Sequence, residues 1–236
     1  EYSKFSDLPL IHSCLGFHRL AINGVHDELS NQPFFINSIY LICNGEIYNH
    51  KELAKIINIT PNSKSDCEII IHLYQKYGIE QTLQMLDGVF AFILIDTTNK
   101  QIFIARDTYG VRPLFTSVFK KVRCITSDNK LKYYTTFAFA SELKSLINID
   151  NDNFEEKIIQ FEPGCLSVFK YGETLKTHSS TINTDIQHIQ DIMFSSPNSF
   201  STLNNISKPQ ILENIYNKLY QAVAKRVDNT ERPIAC

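Results

Sequence analysis

Residues 89–106 read Val89-Phe-Ala-Phe-Ile-Leu-Ile-Asp96, Thr97-Thr-Asn-Lys100, Gln101-Ile-Phe-Ile-Ala-Arg106. Two runs rich in β-branched and aromatic side chains flank a polar tetrapeptide, which is the pattern of antiparallel strands joined by a hairpin. Further strand signals lie on both sides. Phe17–Ile22 and Ile39–Cys43 are short apolar runs bounded by turn residues, the second ending at the turn signal Asn44-Gly45. Tyr133–Ala140 and Cys165–Tyr171 give two more, the last entered through Pro163-Gly164. Between them Asn49–Ile57 and Ile79–Leu86 read as short helices. A clearer helix starts at the cap-like Ser65-Asp66, carries Ile69, Ile70, Leu73, Tyr74 and Tyr77 at helical spacing, and stops at Gly78. Strands joined by hairpins or by short helices predict an α+β fold with antiparallel sheets, not a doubly wound parallel one.

Composition then shifts. Residues 174–207 are rich in Ser, Thr and Asn and read as a linker or irregular passage. Pro209 opens a last helix whose Ile211, Ile215, Leu219, Ala222 and Val227 share one apolar face. The expected division is therefore a domain over 1–173, the passage 174–207, and the start of a second domain over 208–236. The chain begins with Glu1 and stops in the uncapped apolar run Pro233-Ile-Ala-Cys236, so both ends read as cut.

At 236 residues, 43% hydrophobic and 20% charged, the chain can bury a full core. Its 23 Lys and Arg against 25 Asp and Glu leave a net charge of -2, which supplies no basic field for nucleic acid or an anionic membrane. The longest apolar run, Val89–Ile95, is seven residues, too short to cross a bilayer. Six cysteines without a Cys-x-x-Cys pair fit neither a zinc site nor a disulfide framework, and read as reduced thiols of a cytoplasmic protein.

Four clusters bear chemistry, and each has a plain structural reading beside the functional one. Arg19 sits inside the apolar run Phe17–Ile22 and wants an anion, either a ligand or an internal carboxylate. Asn44-Gly45 places a side-chain amide beside a backbone N–H, two convergent donors of the kind an oxyanion hole uses, or simply an Asn-Gly turn. Lys64-Ser-Asp66 offers a carboxylate at a helix start, or merely a cap. Ala105 to Leu114 carries Arg106, Asp107 and Arg112 around a Gly-Pro turn, as a site or as a charged structural turn.

In this order the clusters resemble the class II glutamine amidotransferases, whose nucleophile is an N-terminal Cys, and within them the eukaryotic-type asparagine synthetases. The resemblance rests on Gly16-Phe-His-Arg-Leu-Ala21, Cys43-Asn-Gly-Glu-Ile-Tyr-Asn-His-Lys51, Asp66-Cys-Glu-Ile-Ile70, Gly78-Ile-Glu-Gln-Thr82, Met85-Leu-Asp-Gly-Val-Phe-Ala-Phe92, Ala105 to Phe115, and Ala140-Ser-Glu142. It runs from about residue 12 to 170 and resumes at Ala224-Lys-Arg226 and Arg232-Pro-Ile-Ala-Cys236, which resemble the approach to the family's ATP-pyrophosphatase loop.

The resemblance implies a four-layer αββα sandwich of two antiparallel sheets, followed by the first helix of an α/β ATP-pyrophosphatase domain. It implies that Arg19 takes the α-carboxylate of L-glutamine, that Asp66 and Glu46 take the α-ammonium, and that Asn44 and Gly45 form the oxyanion hole. Leu20, Ala21, Ile22 and Asn23 would complete the glutamine site. Asn23 departs from the aliphatic residue usual in the family, the stretch up to Gln32-Pro33 is about two residues longer than usual, and the Arg106–Leu114 string is read as structural. The nucleophilic N-terminal Cys is absent from the chain, and no internal Cys has the free α-amine that would serve as base. The stretch alone is thus expected to be inactive, with Cys43 and Cys67 turned into the core. No metal or cofactor is expected in it. The parent would use aspartate, ATP and Mg²⁺ elsewhere, and could be a homodimer. The rivals are another class II amidotransferase, of the phosphoribosyl-diphosphate or glucosamine-6-phosphate type, and a non-catalytic glutamine-binding domain.

Overall fold

The computed structural model describes residues 2–8, 13–125, 131–147, 158–176, 181–195 and 207–232. In chain order its strands are β1 (Tyr2–Leu8), β2 (Ser13–Arg19), β3 (Phe34–Ile36), β4 (Ile39–Ile47), β5 (Gly88–Asp96), β6 (Gln101–Arg106), β7 (Phe115–Ile125), β8 (Leu131–Ala140), β9 (Ile159–Gln160), β10 (Cys165–Lys176) and β11 (Thr181–Met193). Its helices are α1 (His50–Ile57), α2 (Ile69–Tyr77), α3 (Ile79–Met85) and α4 (Lys208–Asp228). All pairings are antiparallel. The main sheet has the order β11-β10-β6-β5-β4-β3, a second sheet the order β8-β7-β9, and β1 pairs with β2.

Period-two alternation assigns each strand of the main sheet two faces. Leu41, Cys43 and Ile47 of β4, Phe90, Phe92 and Leu94 of β5, and Phe103 and Ala105 of β6 pack with Leu53 and Ile57 of α1, Ile70 and Leu73 of α2, and Leu83 of α3. The opposite face presents Ala91 and Ile95, Ile102 and Ile104, and Phe169 and Tyr171. Against it lie Phe137 and Phe139 of β8, whose rings meet Phe169 edge-on at centroid distances of 4.9 and 6.0 Å. Helices, main sheet and second sheet thus stack in order. These are three of the four layers expected, in the expected α+β class.

The hairpin of residues 89–106 forms as read, with Asp96 opposite Gln101 and Lys100 at φ 55° in the turn. Asp96 fixes that turn by accepting from the Thr98 and Asn99 backbone N–H groups at 2.9 and 2.8 Å. Gly78 closes α2, its N–H bonded to Tyr74 O.

Three elements differ from the sequence reading. Asn44-Gly45 is not a turn, because β4 continues through it to Ile47, paired residue for residue with Gly88–Asp96 of β5. The first apolar run is displaced. β2 ends at Arg19, so Leu20–Asn23 form a loop. The 174–207 passage is largely strand among its described residues. β10 runs to Lys176, and β11 occupies Thr181–Met193 at the sheet edge. An edge strand takes its backbone bonds from one neighbour and leaves most side chains in water, so Gln187, His188 and Gln190 are exposed and no apolar run announces it. Residues 196–206 of that passage lie outside the described residues. α4 forms over Lys208–Asp228 as expected, but none of its residues is buried.

Candidate functional site

Arg19 is the last residue of β2, and the loop that follows folds back on it. Its Nη2 donates to the Asn23 carbonyl at 2.5 Å and to the Gly24 carbonyl at 3.1 Å, and its Nη1 to Asn31 Oδ1 at 3.2 Å. Burial lowers the guanidinium pKa while Asp27, Asp66 and Glu231 pull against it; the group stays a cation and lines the cavity beside it.

The opposite wall is the free edge of β4. β5 pairs with one side of this strand over its whole length, whereas β3 covers the other side only as far as Leu41. Beyond that point side chains take over the orphaned backbone groups. Gln32, which is buried, accepts from Cys43 N–H at 2.6 Å and donates to Cys43 O at 3.1 Å. Four residues further on, Asp66 accepts from Ile47 N–H at 2.6 Å. Gly45 lies midway between them on the same edge. Its carbonyl meets the Cys67 thiol at 3.8 Å, and its N–H points the same way, away from β5, with no acceptor among the described residues. Asn44 and Glu46 project from the face towards the cavity. Gly45 is required by its neighbour: a Cβ there would stand 2.4 Å from Val89 O and 2.8 Å from Phe90 Cα.

Asp66 begins a 3₁₀ turn capped by the Ser65 hydroxyl, which leads directly into α2. Asn23, the residue that departs from the family's usual aliphatic side chain, donates its amide to Asp66 Oδ1 at 3.4 Å and is buried. A polar residue in that place therefore has a polar partner. Glu46 is met by Arg112 Nη2 at 3.0 Å, an ion pair with both side chains partly exposed. Cys67 is buried, and its thiol is pushed well up, first by the adjacent Cys43 side chain and then by burial, so it is a poor nucleophile. Cys43 and Cys67 both face the core, as read from their alternation with the site residues.

All nine expected residues, Arg19, Leu20, Ala21, Ile22, Asn23, Asn44, Gly45, Glu46 and Asp66, line one cavity of about 1140 Å³. It has a charged mouth and continues between the two sheets along an apolar wall that includes Ile93, Ile95, Ile102 and Phe139. Leu20 is the outlier at 78% exposed, standing on the rim. Three contributors were missed. Gln32 and Asn31 act through an unpaired strand edge and a guanidinium, which a linear sequence does not display. Arg112 belongs to a string read as purely structural, which is correct for its neighbours: Arg106 is buried and donates to Arg112 O, Phe161 O and Gly110 O, while Asp107 accepts four backbone N–H groups. Among the described residues no group of His, Cys, Asp or Glu is arranged to hold a metal ion, and no helix is long and apolar enough to cross a membrane.

Comparison with known proteins agrees with this geometry. The chain is 49% identical over 139 residues to the glutamine-hydrolysing asparagine synthetase of Bos taurus and 47% identical over 139 residues to that of Homo sapiens, in each case over 58% of this chain and 22% of the relative. The enzyme of Mesocricetus auratus is 45% identical over 155 residues, 64% of this chain and 25% of its own length. The chain thus spans about a quarter of the curated relatives it matches. Among solved structures, the glutamine phosphoribosylpyrophosphate amidotransferase from B. subtilis superposes with a TM-score of 0.51 at 19% identity, over 78% of this chain and 35% of that one. An allosteric regulatory enzyme of purine biosynthesis gives 0.54 at 20% identity, with the same coverage. These last two establish the fold. Residues 9–194, more than half the chain, match the family model of the glutamine amidotransferase domain, and the chain belongs to that family.

Proposed function

We propose that the cavity binds free L-glutamine, and that the chain is the glutaminase portion of an asparagine synthetase. The observation that carries this reading is that the Arg19 guanidinium, the Asp66 carboxylate, the Asn44 side chain and the Gly45 strand edge line one cavity. Free glutamine has a carboxylate for Arg19, an ammonium for Asp66, and an amide whose tetrahedral intermediate needs Asn44 Nδ2 and Gly45 N–H. Glu46 is already neutralised by Arg112, so Asp66 is the main ammonium partner and Glu46 a secondary one. A strand-edge N–H held in place by its sheet is a preorganised donor, and one such group is worth about 2.7–4 kcal/mol in the transition state of acyl transfer.

The attacking group in this reading is the thiol of an N-terminal Cys with its own α-amine as base, which the sequence does not include. The buried Cys43 and Cys67 do not replace it, and the stretch alone would bind glutamine without hydrolysing it. Ammonia released at the mouth would pass inward along the apolar wall, where exclusion of water keeps it unprotonated. Aspartate, ATP and Mg²⁺ would be handled by a synthetase domain of which residues 208–236 are the start, in a cytoplasmic protein able to form a homodimer.

Titration calorimetry with L-glutamine tests the site. Saturable binding that is lost in Arg19→Ala is expected. In the full-length enzyme the same change should abolish asparagine formation from glutamine and leave that from free ammonia intact. Binding by Arg19→Ala as tight as by the parent would overturn the reading.

A further inference from the structure

The residues just past α4 return to the glutamine loop. Glu231 Oε2 accepts from Gly24 N–H at 3.0 Å, and Arg232 Nε donates to the Ala21 carbonyl at 2.6 Å, contacts that span 207 and 211 positions of sequence. Gly24 is at φ 60°, and a Cβ there would come within 2.3 Å of Ser30 Oγ, so the turn that presents its N–H outward has one shape. The peptide joining Asn23 to Gly24 is held at both ends: its N–H by the Glu231 carboxylate, its carbonyl by the Arg19 guanidinium. A single peptide group polarised by an anion on one side and a cation on the other is a cooperative bridge. It fixes the loop and the guanidinium together.

We propose that Glu231 and Arg232 are positioning residues for the glutamine site, gripping the Ala21–Gly24 turn and through it setting where Arg19 stands. The proposal rests on the reading that Arg19 takes the glutamine carboxylate. It adds that the segment leading out of α4 reports its own placement to that site. α4 is itself tied to the strand-helix scaffold, with Lys225 paired to Asp87 and Arg226 lying over the Tyr48 ring at 4.8 Å, so its movement would carry the grip with it.

The test uses the full-length native protein, with glutamine affinity read by calorimetry and kcat and KM measured for glutamine and for ammonia. Both side chains are exposed, so their bonds are worth the low end for charged partners. Glu231→Ala and Arg232→Ala should each weaken glutamine binding and raise its KM about 3- to 10-fold. The kcat at saturating glutamine and the ammonia reaction should stay within about twofold. Glu231→Gln, which keeps an acceptor oxygen, should recover part of the loss. If both alanine variants bind glutamine like the parent while Arg19→Ala does not, the grip is refuted and the site reading survives. If Arg19→Ala binds normally, the site reading itself fails. A fall in melting temperature that tracks the affinity loss and is not relieved in Glu231→Gln would make Glu231 mere support and also overturn the proposal. Arg232→Ala, a surface truncation, supplies an independent reading should Glu231→Ala not fold.

Discussion

Arg19 is braced before any ligand arrives. Three bonds to Asn23, Gly24 and Asn31 fix a side chain that otherwise has about 2 kcal/mol of rotamer freedom to lose, so binding a carboxylate costs little further ordering. Arg19→Lys keeps the charge but not the planar fork, and cannot serve three loop oxygens and a ligand together. It should weaken glutamine binding by about 10-fold or more in a titration, and near-parent affinity would show that charge alone suffices. Gly45 fails differently. The Cβ of Gly45→Ala meets the backbone of β5, which cannot rotate away, so β4 must shift. The expected cost is about 1–3 kcal/mol in denaturant unfolding, together with loss of glutamine binding. A variant that kept both would show that β4 has more room than its ladder indicates. Arg19, Asp66 and Gly45 stood out in the sequence by a charge in an apolar run, a carboxylate at a helix start and the absence of a side chain, whereas Leu20–Asn23 were named on the family resemblance alone. Gln32 was not, since its task is to satisfy a strand edge that exists only after β3 stops short.

Short connections carry much of the organisation at the level of elements. The Asp66–Glu68 turn places Asp66 in the site with its first residue and anchors the preceding loop with its last. Glu68 is buried and accepts from Asn62 N–H and Ser63 N–H, each at 2.7 Å, and meets His72 Nε2 at 3.0 Å. Burial pushes its pKa up, but the bonds from His72, Ser63 and Asn62 outweigh it and leave the carboxyl below its ordinary value. A folded-state pKa below the unfolded one, about 4.3, means stability that is present above pH 4.3 and lost as pH falls through the lower folded value. Glu68→Gln should therefore be less stable than the parent at pH 7 and converge on it between about pH 5 and 3. Parallel acid-unfolding curves for the two would show that Glu68 is not an acid-labile anchor. In the Arg106 turn three backbone carbonyls receive one buried guanidinium. Arg106→Met leaves those carbonyls without their donor, for an expected loss of about 3–5 kcal/mol in chemical denaturation. The residues of this string left a site and a structural turn equally open, and the family resemblance decided for structure, whereas β11 was not legible as a strand. Of its described side chains Ile186 and Ile192 pack against the cores and His188 lays its ring against Phe169, so its polar composition describes its exposure and conceals its pairing.

At the scale of the whole molecule, two cores on opposite faces of one sheet account for the antiparallel α+β architecture, and hairpin spacing in the sequence was enough to anticipate it. α4 stands outside both cores. Its ends are well made: Gln210 accepts the Ser207 N–H at 3.1 Å, Pro209 sits in the first turn, and Lys225 and Arg226 lie in the last. With 21 residues it can hold its helical form largely on these local terms. Its apolar face gains little from the other described residues, with Ile215 57%, Leu219 64% and Val227 44% exposed. The sequence displayed that face by its spacing, yet nothing in the spacing says what covers it. A contiguous apolar stripe of this kind in water drives association unless something shields it. The 236-residue polypeptide should therefore sediment as concentration-dependent oligomers, and Leu219→Glu should shift it towards monomer with helix content by circular dichroism unchanged. The same substitution in a longer form where this face is covered should lower the melting temperature, because there it would bury a charge without a partner. If Leu219→Glu leaves the sedimentation of the 236-residue chain unaltered, the adhesive surface is elsewhere and the stripe is tolerated in water as it stands.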